Sequence, residues 1–152
     1  MSERILIVDD EAAIRESLEE ALRTDGYEVS GAETGEAALA MLHNESFDLV
    51  VTDLKMPGVS GLELLQALRN QGRETPIIMM TAYGDVDTAV ESMRLGAYDF
   101  IQKPFKLGTM RSQVRAALRA TRPGDIDMPA QEAPAERPRT RQRSAVRSAV
   151  AS

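Results

Sequence analysis

The chain has 152 residues, a formal net charge of −6 and no cysteine. This length suits one ordinary domain with a tail, and the lack of cysteine excludes disulfides, thiol nucleophiles and thiolate metal sites. A single histidine, His43, is too few for a histidine-rich zinc site, and we interpret it as a solvated helix residue. No apolar run approaches the ~20 residues that span a bilayer, and no signal-peptide pattern opens the chain, so we expect a cytoplasmic protein.

Charge and composition divide the chain into two parts. Residues 1–122 carry 13 Lys and Arg against 20 Asp and Glu, whereas residues 123–152 carry 5 against 4. The acidic part is not expected to bind nucleic acid through its overall charge. The second part is rich in Pro, Ala and Arg and has few large apolar side chains, so it cannot bury enough surface to offset its ordering entropy. We therefore predict a folded domain over residues 1–122 and a disordered tail over residues 123–152.

Apolar spacing at the start of the chain predicts strand, helix, strand, helix. Residues 5–8 form a short apolar strand. The helix after it places four apolar side chains on one face: Ile14, Leu18, Ala21 and Leu22. Gly26 ends this helix, residues 27–32 suit an edge strand, and Thr34 is predicted to cap the second helix.

The middle of the chain places one carboxylate, Asp53, at the end of a buried strand. Residues 49–51 are continuously apolar, which is typical of a strand covered on both faces. The Pro-Gly pair at 57–58 prevents the strand from continuing and predicts a loop. Ser60 and Glu63 have the spacing of a capping box at the start of a third helix.

The remaining sequence predicts two more strands and two more helices. Residues 77–80 are a fully apolar strand that ends at Thr81, and residues 98–102 are a shorter strand that ends before Lys103. Asp85 is predicted to cap the fourth helix. The side chains expected to be buried by the fourth and fifth helices are Val86, Val90, Met93, Met110, Val114 and Leu118.

Five strands alternating with five helices predict an α/β fold: a five-stranded parallel sheet with helices on both faces. We place the three most apolar strands in the centre, in the flavodoxin-like order 2-1-3-4-5. Strands 1 and 3 are then neighbours at the topological switch point, where ligands of such sheets bind. Five polar residues gather at the C-terminal rim of this sheet: Asp9, Asp10, Asp53, Thr81 and Lys103.

These residue types favour phosphoryl-transfer chemistry. Crowded carboxylates need a compensating charge, and Mg²⁺ suits a partly hydrated site with oxygen ligands. A carboxylate beside such a cation can attack phosphorus to form an acyl phosphate, while the cation and a Lys ammonium neutralise charge on the transferred group. Each residue alone also has an ordinary explanation, since Asp9 and Asp10 could belong to a helix cap. The prediction depends on all five occurring together.

Four ordered motifs resemble the response-regulator receiver domain of two-component signalling, similar to the chemotaxis regulator. They are Val8-Asp9-Asp10-Glu11, Thr52-Asp53-Leu54-Lys55-Met56-Pro57-Gly58, Met80-Thr81-Ala82-Tyr83-Gly84 and Phe100-Ile101-Gln102-Lys103-Pro104-Phe105. The resemblance extends from Glu3 to about Arg122, and the wording of the motifs is nearest to the receivers of enhancer-binding transcription activators. Neither the ATPase nor the DNA-binding domain of those activators has a counterpart in this sequence.

The resemblance implies a phosphoacceptor and a metal site. Asp53 would accept a phosphoryl group from the phosphohistidine of a sensor histidine kinase. Asp10 and Asp53 would bind Mg²⁺ directly, Asp9 largely through water, and Lys55 through its backbone carbonyl.

The resemblance also implies a switch that follows phosphorylation. Lys103, Thr81 and the Ala82 amide would contact the phosphoryl group, and Phe100 would move inward as Thr81 shifts. A cis Lys103-Pro104 bond is expected. The switched surface, formed by the fourth helix, fifth strand and fifth helix, would bind a downstream protein target or a second copy of the chain, without nucleic-acid or membrane binding by the folded domain.

The same fold and residues suggest three other functions. An aspartyl-nucleophile phosphatase needs a second acid two residues after the nucleophile, where Lys55 stands. A flavin or nucleotide carrier needs a Ser-, Thr- or Gly-rich loop after the first strand, where residues 9–11 would repel phosphate without a cation. The arginines of the tail could instead contact nucleic acid or a membrane surface.

Overall fold

The computed structural model describes residues 2–121 and contains the predicted alternation of strands and helices. The strands are β1 (Arg4–Val8), β2 (Glu28–Ala32), β3 (Leu49–Asp53), β4 (Ile77–Thr81) and β5 (Asp99–Gln102). The helices are α1 (Ala12–Thr24), α2 (Gly35–Asn44), α3 (Gly61–Asn70), α4 (Val86–Arg94) and α5 (Leu107–Thr121). Within residues 2–121, no helix is both long enough and apolar enough to cross a bilayer.

The five strands form one parallel sheet in the order β2-β1-β3-β4-β5, as predicted. Val8 of β1 pairs with Thr52 of β3, and Asp53 pairs with Met80 of β4. Because all strands are parallel, their carboxyl ends lie at one edge of the sheet. The register therefore brings the ends of β1, β3 and β4 to nearly the same level.

The core consists of two apolar clusters on opposite faces of the sheet. Side chains of α1 and α5 cover one face; those buried there include Leu18, Leu22, Met110, Val114 and Leu118. Helices α2 and α3 cover the other face, and the buried residues there include Ala38, Leu42, Leu64, Leu65 and Leu68. The central strands are apolar on both sides because both of their faces are covered.

The predicted caps of α2 and α3 are present. Thr34 Oγ1 accepts a hydrogen bond from Ala37 N at 3.0 Å. Ser60 and Glu63 form the complete capping box, with each side chain accepting a bond from the other's backbone N–H. The loop that leaves β3 therefore enters α3 in a well-defined direction.

Helix α4 differs from the prediction. Val86, Val90 and Met93, expected to be buried, are 53%, 44% and 38% exposed, and Ala89 and Ser92 are buried instead. Helix α4 contacts β4 and β5, and β5 is the edge of the sheet, so α4 has a narrow surface to cover. Apolar spacing identifies a face of a helix but not whether another element covers it.

The predicted cap by Asp85 is wrong, because its side chain makes no capping hydrogen bond. The predicted tail over residues 123–152 lies outside the described residues, so the boundary after residue 122 stays a prediction.

Candidate functional site

Three carboxylates meet at the C-terminal edge of the sheet. Asp9 and Asp10 directly follow β1, and Asp53 is the last residue of β3. One carboxylate oxygen from each of the three lies within 4.8 Å of the others. Asp9 is fully buried, Asp53 is partly buried and Asp10 is exposed. The convergence predicted from strand ends is present, and it concentrates negative charge at this edge of the sheet.

Lys103 directly follows β5 and reaches this cluster across the end of β4. Its Nζ lies 2.9 Å from Asp9 Oδ2 and 3.2 Å from Asp53 Oδ2. Its backbone N–H donates to the Thr81 carbonyl at 2.7 Å, and the Lys103-Pro104 bond is cis, as expected. The ammonium therefore links carboxylates that come from two different strands.

Both carboxylate oxygens of the buried Asp9 have a hydrogen-bond partner. Its Oδ1 accepts a hydrogen bond from Glu11 N at 2.9 Å, and its Oδ2 accepts one from Lys103. Arg15 Nη1 donates to the Asp9 carbonyl at 2.8 Å. A buried carboxylate without such partners would be strongly destabilising, so these contacts explain how Asp9 can be fully buried.

Burial and neighbouring charge shift the pKa values of the central pair. Burial raises the pKa of Asp53, with a further contribution from the negative charges of Asp9 and Asp10, and this outweighs the opposing effect of Lys103. Burial alone would lower the pKa of Lys103, but the hydrogen bonds and charges of Asp9 and Asp53 outweigh it and raise that pKa. Asp53 therefore lies where a second cation would favour its ionised form.

Thr81 and Ala82 lie at the end of β4, next to this cluster. Thr81 is buried, and its Oγ1 lies 3.5 Å from the Ile101 carbonyl, at the limit of a hydrogen bond. A hydroxyl held so weakly can turn toward a better acceptor. Ala82 is exposed and lines a cavity of about 210 Å³ together with Asp53 and Lys103. This volume exceeds that of several water molecules, each about 30 Å³, so a small anion fits.

Lys55 and Phe100 are placed by the structure, but their predicted roles stay predictions. Lys55 lines the same cavity, and its Nζ forms an ion pair with Asp85 at 3.2 Å. Phe100 is partly buried and packs against the apolar cluster beneath α2 and α3.

Two acids of the site were not predicted. Glu11 Oε1 lies 3.4 Å from Lys103 Nζ, and Asp85 lines the cavity and pairs with Lys55. Both occupy the N-cap position of a helix that begins at this edge of the sheet. For Asp85 the sequence signal was its place directly before a helix, which was interpreted as capping alone. Glu11 was considered only as part of the Val8-Asp9-Asp10-Glu11 motif.

The donor set suits a hard divalent cation. The three clustered carboxylates offer oxygen ligands, and the exposure of Asp10 leaves room for metal-bound water. The site residues could therefore hold Mg²⁺, with Lys103 sharing the oxygens of Asp9 and Asp53.

Comparison with known proteins identifies the family. The family model described as response regulator receiver domain matches residues 5–115. Response regulator protein FleR of Pseudomonas aeruginosa is 40% identical over 138 residues, which is 90% of this chain and 29% of that protein. Transcriptional regulatory protein FixJ of Bradyrhizobium diazoefficiens is 41% identical over 119 residues, which is 78% of this chain and 58% of that protein. The solved receiver domain of NtrX from Brucella abortus aligns with a TM-score of 0.74 and 37% identity, over 77% of this chain and 99% of that one.

The chain spans less than two thirds of the length of either curated relative, so the similarity concerns a domain that those longer proteins contain. Residues 5–115 include the carboxylate cluster, Thr81 and Lys103. The chain belongs to the response regulator receiver domain family, the regulatory domain of two-component systems.

Proposed function

We propose that Asp53 accepts a phosphoryl group from the phosphohistidine of a sensor histidine kinase, and that this changes a protein-binding face. The observation that carries the proposal is the Lys103 ammonium, which lies 3.2 Å from Asp53 Oδ2 beside two further carboxylates. This arrangement supplies a nucleophile and a cation side by side in the lining of a cavity large enough for a phosphoryl group.

The transfer is a displacement at phosphorus. An Asp53 carboxylate oxygen forms a bond to phosphorus, the bond from phosphorus to the histidine nitrogen breaks, and its electron pair stays on the imidazole. Lys103 offsets negative charge on the phosphoryl oxygens. The Ala82 N–H, and the Thr81 hydroxyl once it has turned from the Ile101 carbonyl, donate to the same oxygens.

Asp9, Asp10 and Asp53 would hold Mg²⁺, together with the Lys55 carbonyl. When bound, the ion supplies positive charge that neutralises the carboxylates and the phosphoryl oxygens. The protein's own contribution is to bury Asp9 and to hold Lys103 Nζ 3.2 Å from Asp53 Oδ2.

The phosphoryl donor would dock on a groove beside the site. The groove has a volume of about 570 Å³ and is lined by residues of α1 and of the segment after β5, among them Ala13, Ile14, Phe105 and Leu107. It also reaches Lys103, so a protein bound there lies next to the acceptor. Apolar surface of this kind favours a protein partner.

The phosphorylated domain acts as a regulator and returns to its first state by hydrolysis that its own site assists. Thr81 turns toward the phosphoryl group and Phe100 follows it inward. The surface formed by α4, β5 and α5 then binds a downstream protein or a second copy of the chain.

Labelling with acetyl phosphate tests the acceptor. With Mg²⁺, we expect the wild-type chain to gain one phosphoryl group by intact mass, and Asp53→Asn to gain none. Asp48→Asn, at an exposed acid that follows α2, is the control and should take the label normally. Normal labelling of Asp53→Asn would show that another residue is the acceptor.

A further inference from the structure

Asp85 occupies the N-cap position of α4 but does not cap the helix. Its backbone has φ −90° and ψ 45°, and its side chain accepts no hydrogen bond from the first turn. The N-cap side chains of α2 and α3, Thr34 and Ser60, accept such bonds at 3.0 and 3.1 Å. Aspartate is among the strongest N-cap residues, and its charge is favourable at a helix N-terminus. The Asp85 carboxylate therefore does not bind the first-turn N–H groups that an N-cap side chain usually binds.

The carboxylate of Asp85 binds Lys55 instead. Lys55 Nζ lies 3.3 Å from Oδ1 and 3.2 Å from Oδ2. The pair joins the loop after β3 to the start of α4, and both residues line the cavity that contains Asp53. The Lys55 side chain is 67% exposed, so the ion pair is weak. Its contribution to stability is of the same small order as that of an N-cap hydrogen bond. Two partners of similar strength thus compete for one carboxylate.

The charge in the cavity decides between these partners. A phosphoryl group on Asp53 adds negative charge where Lys103 is already shared between Asp53 and Asp9. This added charge attracts the Lys55 ammonium and repels the Asp85 carboxylate. Because Asp85 is the N-cap residue, the N–H groups of the first turn of α4 are then the alternative partner for its carboxylate.

The loop before Asp85 permits its carboxylate to move from Lys55 to the first turn of α4. Tyr83 is 87% exposed. Gly84 has φ +94°, and a Cβ built there would meet no atom within 4 Å. Rotation of the Asp85 backbone toward the extended ψ of 159° and 168° seen at Thr34 and Ser60 therefore disturbs little packing.

We infer that Asp85 is a two-position carboxylate, paired with Lys55 when Asp53 is unmodified and capping α4 when Asp53 is phosphorylated. The inference rests on the phosphorylation of Asp53 proposed above. Capping orders the first turn of α4. The exposed Val86 and Val90 of this helix belong to the face proposed to bind a partner. The exchange links the acceptor to that face without passing through Phe100.

Amide hydrogen exchange of the full chain detects the change of partner of Asp85. After treatment with acetyl phosphate and Mg²⁺, the amides of Asp87 and Thr88 in the first turn should exchange about fivefold more slowly, the effect of one added N-cap. Intact mass on the same samples measures how much protein carries the label.

Two variants test the inference without any phosphoryl donor. Lys55→Met removes the competing cation, and Asp85→Asn keeps a side chain that caps but cannot form the ion pair. Both should show the slow first-turn exchange before treatment. Lys106→Met and Glu91→Gln remove the same charges from exposed positions and should exchange like the wild type.

The outcomes separate the inference from the proposed function. Slow exchange in both untreated variants and in the labelled wild type supports the inference. Exchange as fast as the wild type in either untreated variant overturns it, whether or not Asp53 takes the label. Labelled wild type with unchanged exchange also overturns it and leaves the proposed function intact. Absence of label overturns the proposed function and with it the phosphorylation-dependent half of the inference.

Discussion

The Asp53 carboxylate lies in surroundings that disfavour its own charge. Burial, with the nearby charges of Asp9 and Asp10, raises its pKa above the ordinary 3.8, despite the presence of Lys103. When folding raises the pKa of a carboxyl group, the group adds to the free energy of unfolding. This contribution is complete at pH values below its unfolded-state pKa. That contribution is lost as the pH rises through the raised pKa. At neutral pH without metal, the ionised acceptor therefore destabilises the fold.

This pKa shift predicts how stability depends on pH. In metal-free buffer at neutral pH, we expect Asp53→Asn to raise the free energy of unfolding above that of the wild type. The gain should shrink as the pH falls through the raised pKa, because the wild-type carboxyl then becomes neutral too. Urea denaturation at a series of pH values, in the presence of a chelator, measures the difference.

The matched control for this prediction is Glu33→Gln, which neutralises an exposed acid outside the site. It should change stability little at any of these pH values. A lower stability of Asp53→Asn than of the wild type at neutral pH would mean that the pair with Lys103 outweighs burial of the charge.

At the scale of elements, the start of α3 packs closely against the end of β3. Gly61 N–H donates to the Leu54 carbonyl at 2.9 Å. A Cβ added to Gly61 would lie 2.3 Å from the Asp53 carbonyl oxygen, a distance that real Cβ atoms do not reach. The first residue of α3 therefore has to be glycine for the acceptor strand and this helix to approach so closely.

We expect Gly61→Ala to destabilise the domain by about 1–3 kcal/mol, the usual effect of overpacking. Because the added methyl group displaces the backbone of Asp53, labelling by acetyl phosphate should also slow. Urea denaturation and intact mass measure the two effects.

Gly108→Ala in α5 is the matched control, since nothing lies within 4 Å of its absent Cβ. It should stabilise the helix by up to ~1 kcal/mol and leave labelling unchanged. Equal effects of the two substitutions would show that the contact between Gly61 and Asp53 is relaxed at little cost.

At the scale of the whole molecule, exposed apolar side chains concentrate around α4, β5 and the start of α5. They are Tyr83, Val86, Val90, Met93, Tyr98 and Leu107. Contiguous exposed apolar surface marks interaction sites in soluble domains. The burial that the sequence predicted for Val86, Val90 and Met93 could thus be supplied by a partner rather than by the chain's own core.

We expect phosphorylation to promote self-association through this face, and Val90→Glu to weaken it at least about tenfold by placing a charge in the contact. Sedimentation of the labelled chain measures the association. Ala40→Glu, at an exposed position on α2, is the control and should leave it unchanged. Equal association of labelled Val90→Glu and labelled wild type would place the contact elsewhere.

Much of the fold and of the site could be predicted because they follow from local patterns. Apolar runs that end in polar residues identified the strands, and parallel strands bring their carboxyl ends together whatever the packing around them. Asp9, Asp53 and Lys103 could therefore be placed at one edge from strand ends alone. The caps by Thr34 and Ser60 depend on neighbours three residues away, so they too were predicted.

The tertiary structure alone decided which partners these groups take. Asp85 has the sequence position of a cap, yet its carboxylate pairs with Lys55, thirty positions away along the chain. The apolar face of α4 is exposed because β5 is an edge strand, and Gly61 is required because α3 starts against β3. The sequence determined the elements and the residues at their ends because these depend on short-range spacing. Burial and charge pairing depend on which elements meet in space, and only the folded chain brings those elements together.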